Sequence, residues 1–158
     1  MINPMIEEMI LKDPQKIFLP AENVTNVLID NNLLHAVLVL TNVRYTLIPV
    51  LDNKSRFQGL ISLKKIIDFL GEEFYTNPES LEKYTIKEAL DDNHYIIEEN
   101  FLLEEVLNAL VDHTFLCIVD KNQVFKGIIP RSLILKRVNY LVHEIDREYH
   151  LLEKDNVK

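Results

Sequence analysis

Two stretches of the chain decide its fold: VLDNKSRFQGLI at residues 50–61 and IVDKNQVFKGII at residues 118–129. Each has an apolar pair and an aspartate, then a polar turn, then a glycine and a second apolar pair, and corresponding positions lie 68 residues apart. Apolar runs on either side of a short polar turn predict a β-hairpin. A fixed repeat spacing indicates that the chain contains two copies of one unit.

Further strands and helices are predicted around both hairpins. The three-and-four spacing of a buried helix face occurs upstream of each hairpin, at Leu33, Ala36 and Leu40 and again at Leu103, Val106 and Leu110. Short apolar runs at 24–29 and 95–97 precede these helices, and amphipathic stretches at 63–70 and 133–142 follow the hairpins. Each repeat is therefore predicted to be βαββα, and the fold class to be α/β (α+β).

The chain divides into five predicted parts. They are an N-terminal helix (1–14), a first repeat (15–70), a polar linker marked by Gly71 and Pro78 (71–84), a second repeat (85–140) and a C-terminal helix extension (141–158). The terminal helices are predicted at Pro4–Leu11 and Leu133–Leu152 from their apolar spacing.

Composition disfavours several classes of protein. Apolar runs such as Ala36–Leu40 are far too short to cross a bilayer, and Met1–Leu11 lacks the basic start of a signal peptide, so we expect a cytoplasmic protein. The formal net charge of −8 disfavours nonspecific binding to nucleic acid or anionic membranes. The single Cys117 cannot form an internal disulfide, and its apolar surroundings predict a buried, inert thiol.

The repeated apolar, aspartate and glycine positions of the two units together resemble the conserved pattern of the CBS domain. The first repeat has them at Leu19-Pro20, Val24, Leu33, Ala36, Leu40, Ile48–Asp52 and Gly59–Ser62, and the second repeat has a weaker set. The resemblance implies a CBS pair (Bateman module), two repeats in a pseudo-twofold arrangement around a cleft that binds adenine nucleotides. More narrowly, the segments 19–24, 44–52 and 124–131 are similar to those of the stand-alone, cyclic-di-AMP-binding CBS pairs of the CbpB type.

The implied ligand site takes residues from both repeats. Arg131, with Ser132 beside it, would meet a phosphate through its guanidinium and the free N–H groups of a helix that begins at Pro130. Tyr45 would stack on a purine, and the Thr46 hydroxyl would bond a base edge or a phosphate oxygen. The other predicted contacts are Asn23, Thr25, Val27, Ile48 and Pro49, and a second half-site is predicted at Ser62 and Lys65.

The sequence also bears on the identity of the ligand. Many CBS pairs that bind AMP or ATP have an aspartate three residues after the last position of Gly-x-x-Ser/Thr, where it accepts hydrogen bonds from the ribose diol. Lys65 and Leu133 occupy those positions here. A cyclic dinucleotide has no free diol, so cyclic di-AMP fits better, and AMP, ATP or no ligand remains the alternative.

We expect a receptor and not an enzyme. With three glycines in all, the chain has no glycine-rich phosphate loop, and no nucleophile motif is present. His143 and His150 are seven residues apart, which is not the spacing of a helical zinc pair, so neither a metal nor a cofactor is expected.

The expected output is contact with other proteins. The resemblance implies regulation of a partner enzyme, the (p)ppGpp synthetase/hydrolase being a candidate, and the alternative is a regulatory subunit that acts through its dimer surface. A homodimer is expected because the terminal helices are rich in apolar residues, at Met5, Met9, Leu141, Ile145 and Leu152.

Overall fold

A computed structural model describes residues 1–148 of the chain. Its helices are α1 (Pro4–Leu11), α2 (Leu33–Asn42), α3 (Leu63–Leu70), α4 (Glu73–Thr76), α5 (Ser80–Lys83), α6 (Leu103–Asp112) and α7 (Arg131–Glu148). Its strands are β1 (Leu19–Pro20), β2 (Val27–Leu28), β3 (Leu47–Leu51), β4 (Phe57–Ser62), β5 (Ile96–Glu98), β6 (Phe115–Val119) and β7 (Phe125–Pro130). The end of the predicted C-terminal extension, with His150 and Leu152, lies outside the described residues.

The strands form two sheets that repeat one topology. In the first sheet β2 runs parallel to β3, and β3 pairs with β4 in antiparallel fashion. In the second sheet β5 runs parallel to β6, β6 pairs antiparallel with β7, and β1 is added beside β7. The predicted α/β fold of two repeated units is confirmed.

β1 belongs to the first repeat in sequence and to the second sheet in space. Leu19 pairs with Ile128 of β7. In the reciprocal contact, the N–H of Asp91, which leads the second repeat, donates to the Leu60 carbonyl of β4 at 2.7 Å. Each sheet is therefore completed by the segment at the start of the other repeat.

The helices bury the predicted faces. Leu33, Ala36 and Leu40 of α2 and Leu103, Val106 and Leu110 of α6 are all buried. The starts of the two helices differ, because the Asn32 side chain accepts the His35 N–H at 3.0 Å whereas Leu102, ahead of α6, has no capping side chain.

The centre of the molecule is a hydrophobic cluster shared by both sheets. It consists of Val24, Leu51, Phe57, Leu60, Phe115, Cys117, Val119, Phe125 and Ile128. The predicted burial of Cys117 is confirmed, since 1% of this residue is exposed, and burial raises the pKa of its thiol. Each sheet also has one outer hydrophobic cluster, which lies between that sheet and its helices.

The two hairpin turns pair with each other. The Phe57 N–H donates to the Gln123 carbonyl at 3.0 Å, and the Phe125 N–H donates to the Ser55 carbonyl at 2.9 Å. Ser55 and Gln123 have positive φ angles of 60° and 65°, and the two phenylalanine rings stack with centroids 6.2 Å apart. The donors and acceptors are equivalent positions, so the pseudo-twofold axis passes through this pair of turns.

An aspartate closes each turn. One oxygen of its carboxylate accepts two backbone N–H groups, from Lys54 and Arg56 at 2.8 and 2.9 Å for Asp52, and from Asn122 and Val124 at 2.8 and 3.0 Å for Asp120. A cation stands beside each one, Arg56 Nε at 2.7 Å from Asp52 and Lys126 Nζ at 3.6 Å from Asp120.

The linker forms α4 and α5, and it buries Ser80 and Leu81. One expectation needs correction. Pro130 is not the first helical residue; it ends β7 opposite Phe115, and α7 begins at Arg131. A proline is tolerated at the end of a strand, where the N–H that it lacks is not needed inside the ladder.

α1 has the predicted bounds and packs on α7 within one subunit. The guanidinium of Arg137, a buried residue of α7, donates to the carbonyls of Met9 and Ile10 at the end of α1. Met9 is buried as well, so it is not part of the exposed apolar surface from which a dimer was expected.

Candidate functional site

A cavity of about 360 Å³ lies where the start of β3 meets the junction of β7 and α7. Its lining residues are Arg44, Tyr45, Thr46, Leu47, Thr114, Phe115, Pro130, Arg131, Ser132 and Leu135. Four of the predicted ligand contacts, Tyr45 and Thr46 from the first repeat and Arg131 and Ser132 from the second, are therefore brought together. Among the residues that the structure describes, none that lines this cavity is acidic.

Arg131 is held in place by the end of α6. Its Nε and Nη2 donate to the His113 carbonyl at 3.2 and 2.8 Å, and Nη2 also lies 3.3 Å from the Val111 carbonyl. These contacts use one edge of the planar guanidinium and orient the group in the cavity wall. Arg131 thus offers a fixed positive charge, because carbonyl acceptors leave that charge without a neutralising anion.

The Arg131 backbone differs from the expectation. Free N–H groups are predicted from the sequence at the start of the last helix, but the Arg131 N–H donates to the Thr114 carbonyl at 2.9 Å. This bond continues the pairing of β7 with β6 by one residue. The backbone of Arg131 is therefore occupied, and its side chain is the part available to an anion.

Tyr45 and Thr46 are open to solvent ahead of β3. The exposed fraction of Tyr45 is 47%, which leaves its ring available for stacking. Arg44, directly before it, lines the same cavity and is missing from the predicted contacts. Its signal was in the sequence, since Arg44 opens the segment 44–52 that carries the family resemblance, but a lone arginine in a loop has no spacing that marks it.

A second cavity of about 520 Å³ adjoins the first along residues 44–47. Its lining includes Ser62, Lys64 and Asp91. Ser62 is buried and caps α3 by accepting the Lys65 N–H at 3.1 Å. The lysine in this lining is Lys64, which pairs with Asp68; this hydrogen bond and the charge of Asp68 raise the pKa of Lys64.

The other predicted contacts lie outside both linings. Asn23 and Thr25 are exposed near β2. Val27 and Ile48 have exposed fractions of 2% and 1% and pack in the outer core of the first repeat. Pro49 is buried in β3, opposite Leu60. A role in binding for these residues stays a prediction.

Residues 1–148 were expected to hold neither a metal site nor a membrane span. In that range no three His, Cys, Asp or Glu side chains are grouped as a metal ion would require, and no helix is long and apolar enough to cross a membrane. His143 is exposed on α7.

The chain is similar to known proteins along nearly its whole length. Residues 16–72 match the family model described as CBS domain. Over 147 residues the chain is 29% identical to Cyclic di-AMP receptor B of Bacillus subtilis (strain 168), which covers 93% of this chain and 100% of that protein.

Solved structures give the same result. The structure of CbpB from Streptococcus agalactiae matches with a TM-score of 0.87 and 27% identity, over 97% of this chain and 96% of that one. The structure of Listeria monocytogenes CbpB in complex with c-di-AMP matches with a TM-score of 0.72 and 38% identity, over 80% of this chain and 94% of that one.

Proposed function

The chain belongs to the family of CBS-domain proteins, and from that premise we propose that it is a receptor for cyclic di-AMP. The observation that carries the proposal is the cavity lined by Arg44, Tyr45, Thr46 and Arg131 without an acidic residue. Cyclic di-AMP has two phosphates and two adenines, so two guanidinium groups and an exposed tyrosine ring match its chemistry. Two similar CbpB structures are complexes with c-di-AMP, which supports the proposal.

The proposed binding mode joins the two repeats. Arg131 meets one phosphate with its free guanidinium edge, Tyr45 stacks on an adenine, and the hydroxyls of Thr46 and Ser132 bond polar atoms of the ligand. A bound ligand would contact β3 of the first repeat and α7 of the second at once. Binding would therefore favour one arrangement of the halves, which is how a receptor shifts a population of conformations.

The proposed output is protein contact and not catalysis. We propose a cytosolic homodimer whose ligand-dependent surface regulates a partner enzyme, for which a (p)ppGpp synthetase/hydrolase is the candidate. An exposed apolar stripe on α7, Leu135, Val138 and Val142, supports a dimer seam, because these residues share one helix face. Turnover of cyclic di-AMP by the purified protein would contradict the receptor role.

A second candidate ligand, AMP or ATP, is favoured by one observation in the adjoining cavity. Asp91 lines that cavity together with Ser62 and Lys64. A carboxylate accepts hydrogen bonds from a free ribose diol, which AMP and ATP have and cyclic di-AMP lacks. A mononucleotide would therefore bind beside Asp91 and not beside Arg131.

Calorimetric titration of nucleotide-free protein with cyclic di-AMP, cyclic di-GMP, AMP and ATP tests the proposal. We expect cyclic di-AMP to bind most tightly, and Asp91→Asn to leave its affinity unchanged. Binding of AMP or ATP that is weakened by Asp91→Asn, with no heat from cyclic di-AMP, would establish the second candidate and rule out the first.

A further inference from the structure

A basic cavity of about 330 Å³ lies between α7 and the turn that follows α1. Three of its lining residues are cations, and none of those that the structure describes there is acidic. It shares no lining residue with either of the two cavities beside Tyr45. In a chain of formal net charge −8, such a cavity is a candidate site for an anion. Its lining residues are Gln15, Lys16, Leu133, Lys136, Arg137 and Tyr140.

Arg137 places a buried positive charge in the wall of this basic cavity. Only 7% of the residue is exposed, and its Nε and Nη2 donate to the carbonyls of Ile10 and Met9. These carbonyls are neutral, and Arg137 forms no salt bridge with a carboxylate of residues 1–148. A buried charge is stabilised by an opposite charge beside it. The carbonyls therefore orient the guanidinium without neutralising it.

The third nitrogen of this guanidinium, Nη1, is the part that a ligand can reach. It makes no hydrogen bond to the described residues. In that part of the chain, no buried side-chain nitrogen is left without a partner. Nη1 is therefore accessible to solvent, although Arg137 is buried as a whole. The Tyr140 ring packs on the guanidinium, with its centroid 5.3 Å from Cζ, and restricts its movement.

Lys136 and Lys16 add positive charge at the same cavity. Lys136 is exposed and forms no salt bridge within the described part of the chain. Lys16 pairs with Asp13 at 3.1 Å, but both side chains are exposed, so this pair is weak. Lys136 and Arg137 are thus two neighbouring cations whose charges the described residues do not balance.

The first repeat has no such pair of cations. Counted from the glycines of the two hairpins, which are 68 residues apart, Lys136 and Arg137 correspond to Asp68 and Phe69 of α3. Asp68 is acidic, and Phe69 packs on Tyr84 with ring centroids 5.2 Å apart. The basic cavity is therefore a property of the second repeat and not a consequence of the shared fold.

We infer that this cavity binds a phosphate group, either free or at the end of a small phosphate ester. A phosphate dianion matches the two cations whose charges are not balanced within the chain. Arg137 donates from Nη1, and Lys136 and Lys16 donate from their ammonium groups. The Gln15 amide and the Tyr140 hydroxyl can bond the remaining oxygens. A bound phosphate joins α7 to the turn after α1 and so fastens the N-terminal helix.

Amide signals of the ¹⁵N-labelled full-length protein test the inference. The probes are inorganic phosphate and ribose 5-phosphate, each exchanged against chloride at constant ionic strength. Saturable shifts are expected at 15–16 and 133–140. Tighter binding of the ester would identify a phosphorylated metabolite as the ligand, and equal binding would identify free phosphate. Shifts confined to 44–47 and 131–132 would show that phosphate binds only the proposed nucleotide cavity, so the inference would be wrong while the proposed function stood.

Two lysine variants separate a local contact from the overall charge. Lys136→Gln should weaken phosphate about tenfold, because it removes one charge-assisted hydrogen bond. Lys121→Gln is the matched control, since Lys121 is exposed in a hairpin turn and does not line the basic cavity. It removes the same charge and should leave the affinity unchanged. Equal weakening in both variants, or none in Lys136→Gln, would contradict the inference.

Malonate tests the choice of phosphate without any substitution, which matters because Arg137 also anchors the end of α1. Malonate has the charge of a phosphate dianion but divides it between two planar carboxylates. Only one of these can meet Arg137 and Lys136 together, so we expect phosphate to bind more tightly. Equal or tighter binding of malonate at 133–140 would overturn the assignment to phosphate.

Discussion

Arg131 combines a structural and a proposed binding role in one side chain. In the proposed complex its free edge meets a phosphate in a partly desolvated cavity. We expect Arg131→Ala to weaken cyclic di-AMP by about 2 to 4 kcal/mol, or roughly 30- to 1,000-fold, measured by calorimetry. Losing the bonds to the Val111 and His113 carbonyls should also lower the free energy of unfolding by about 1 kcal/mol.

Arg131→Lys separates charge from shape. An ammonium keeps the charge but cannot hold His113 on one edge and a phosphate on the other, so we expect only partial recovery of affinity. Wild-type affinity for cyclic di-AMP in Arg131→Ala would contradict the phosphate assignment.

Arg44 provides a contrasting prediction. It lines both cavities and is exposed, and no hydrogen bond of its side chain stabilises the fold in the described part of the chain. Arg44→Ala should therefore weaken cyclic di-AMP about tenfold while the melting temperature stays constant. A loss of stability without a loss of affinity would show that Arg44 does not serve the ligand.

At the scale of the elements, the two sheet glycines give matched substitutions. Gly59 and Gly127 have φ angles of 149° and 150°, so alanine strains the backbone at both. A Cβ on Gly127 would lie 2.2 Å from the Leu19 carbonyl oxygen, whereas one on Gly59 would lie 3.4 Å from the Leu90 side chain. We expect Gly127→Ala to cost about 3 kcal/mol or more and Gly59→Ala about 1 to 2 kcal/mol, measured by urea unfolding. Equal costs would contradict the close packing of β1 on β7.

The turn aspartates predict a dependence of stability on pH. The Arg56 N–H, with the Arg56 guanidinium and the Lys54 N–H, holds the pKa of Asp52 below its ordinary value against partial burial. For Asp120, partial burial acts to raise the pKa, but the N–H groups of Asn122 and Val124 and the charge of Lys126 outweigh it, so the pKa is lowered.

A lowered folded pKa means that the unfolded chain binds the proton more readily. The stabilisation is therefore complete above the ordinary aspartate pKa of about 3.9 and is lost as the pH falls through the lower folded value. We expect Asp52→Asn and Asp120→Asn to reduce stability at neutral pH, and the deficit relative to wild type to shrink below about pH 4. Urea unfolding from neutral to acidic pH measures this; a constant deficit would contradict it.

The sequence predicted elements better than contacts. Spacing was enough for α1, α2 and α6 and for the paired hairpins, because burial of one face imposes the period. It was not enough for the linker, where one leucine and one serine are buried in an otherwise polar segment, or for the Arg131 backbone, whose partner Thr114 is distant in sequence. At the site, Lys64 lines the second cavity instead of Lys65, because the N–H of Lys65 serves the cap of α3.

At the scale of the whole molecule, Cys117 reports on the opening of the central cluster. Its thiol is buried between the sheets, so we expect an alkylating reagent to react only after the repeats separate. Ligand at about 100 times its Kd should add about 2.7 kcal/mol of stability and slow labelling about 100-fold. Labelling in urea serves as the control, and rapid native labelling that ligand does not change would contradict this coupling.

The exchange of leading segments between the sheets also limits how such a chain can arise and be cut. A single repeat made alone would lack the segment that covers β4 or β7, and it could recover that segment only from a second molecule, as a swapped dimer. A half-length ancestor would therefore have worked as two chains, and duplication in tandem would have joined what was already a pair. By the same reasoning, a gene cut at the linker should yield fragments that are soluble together and aggregate apart.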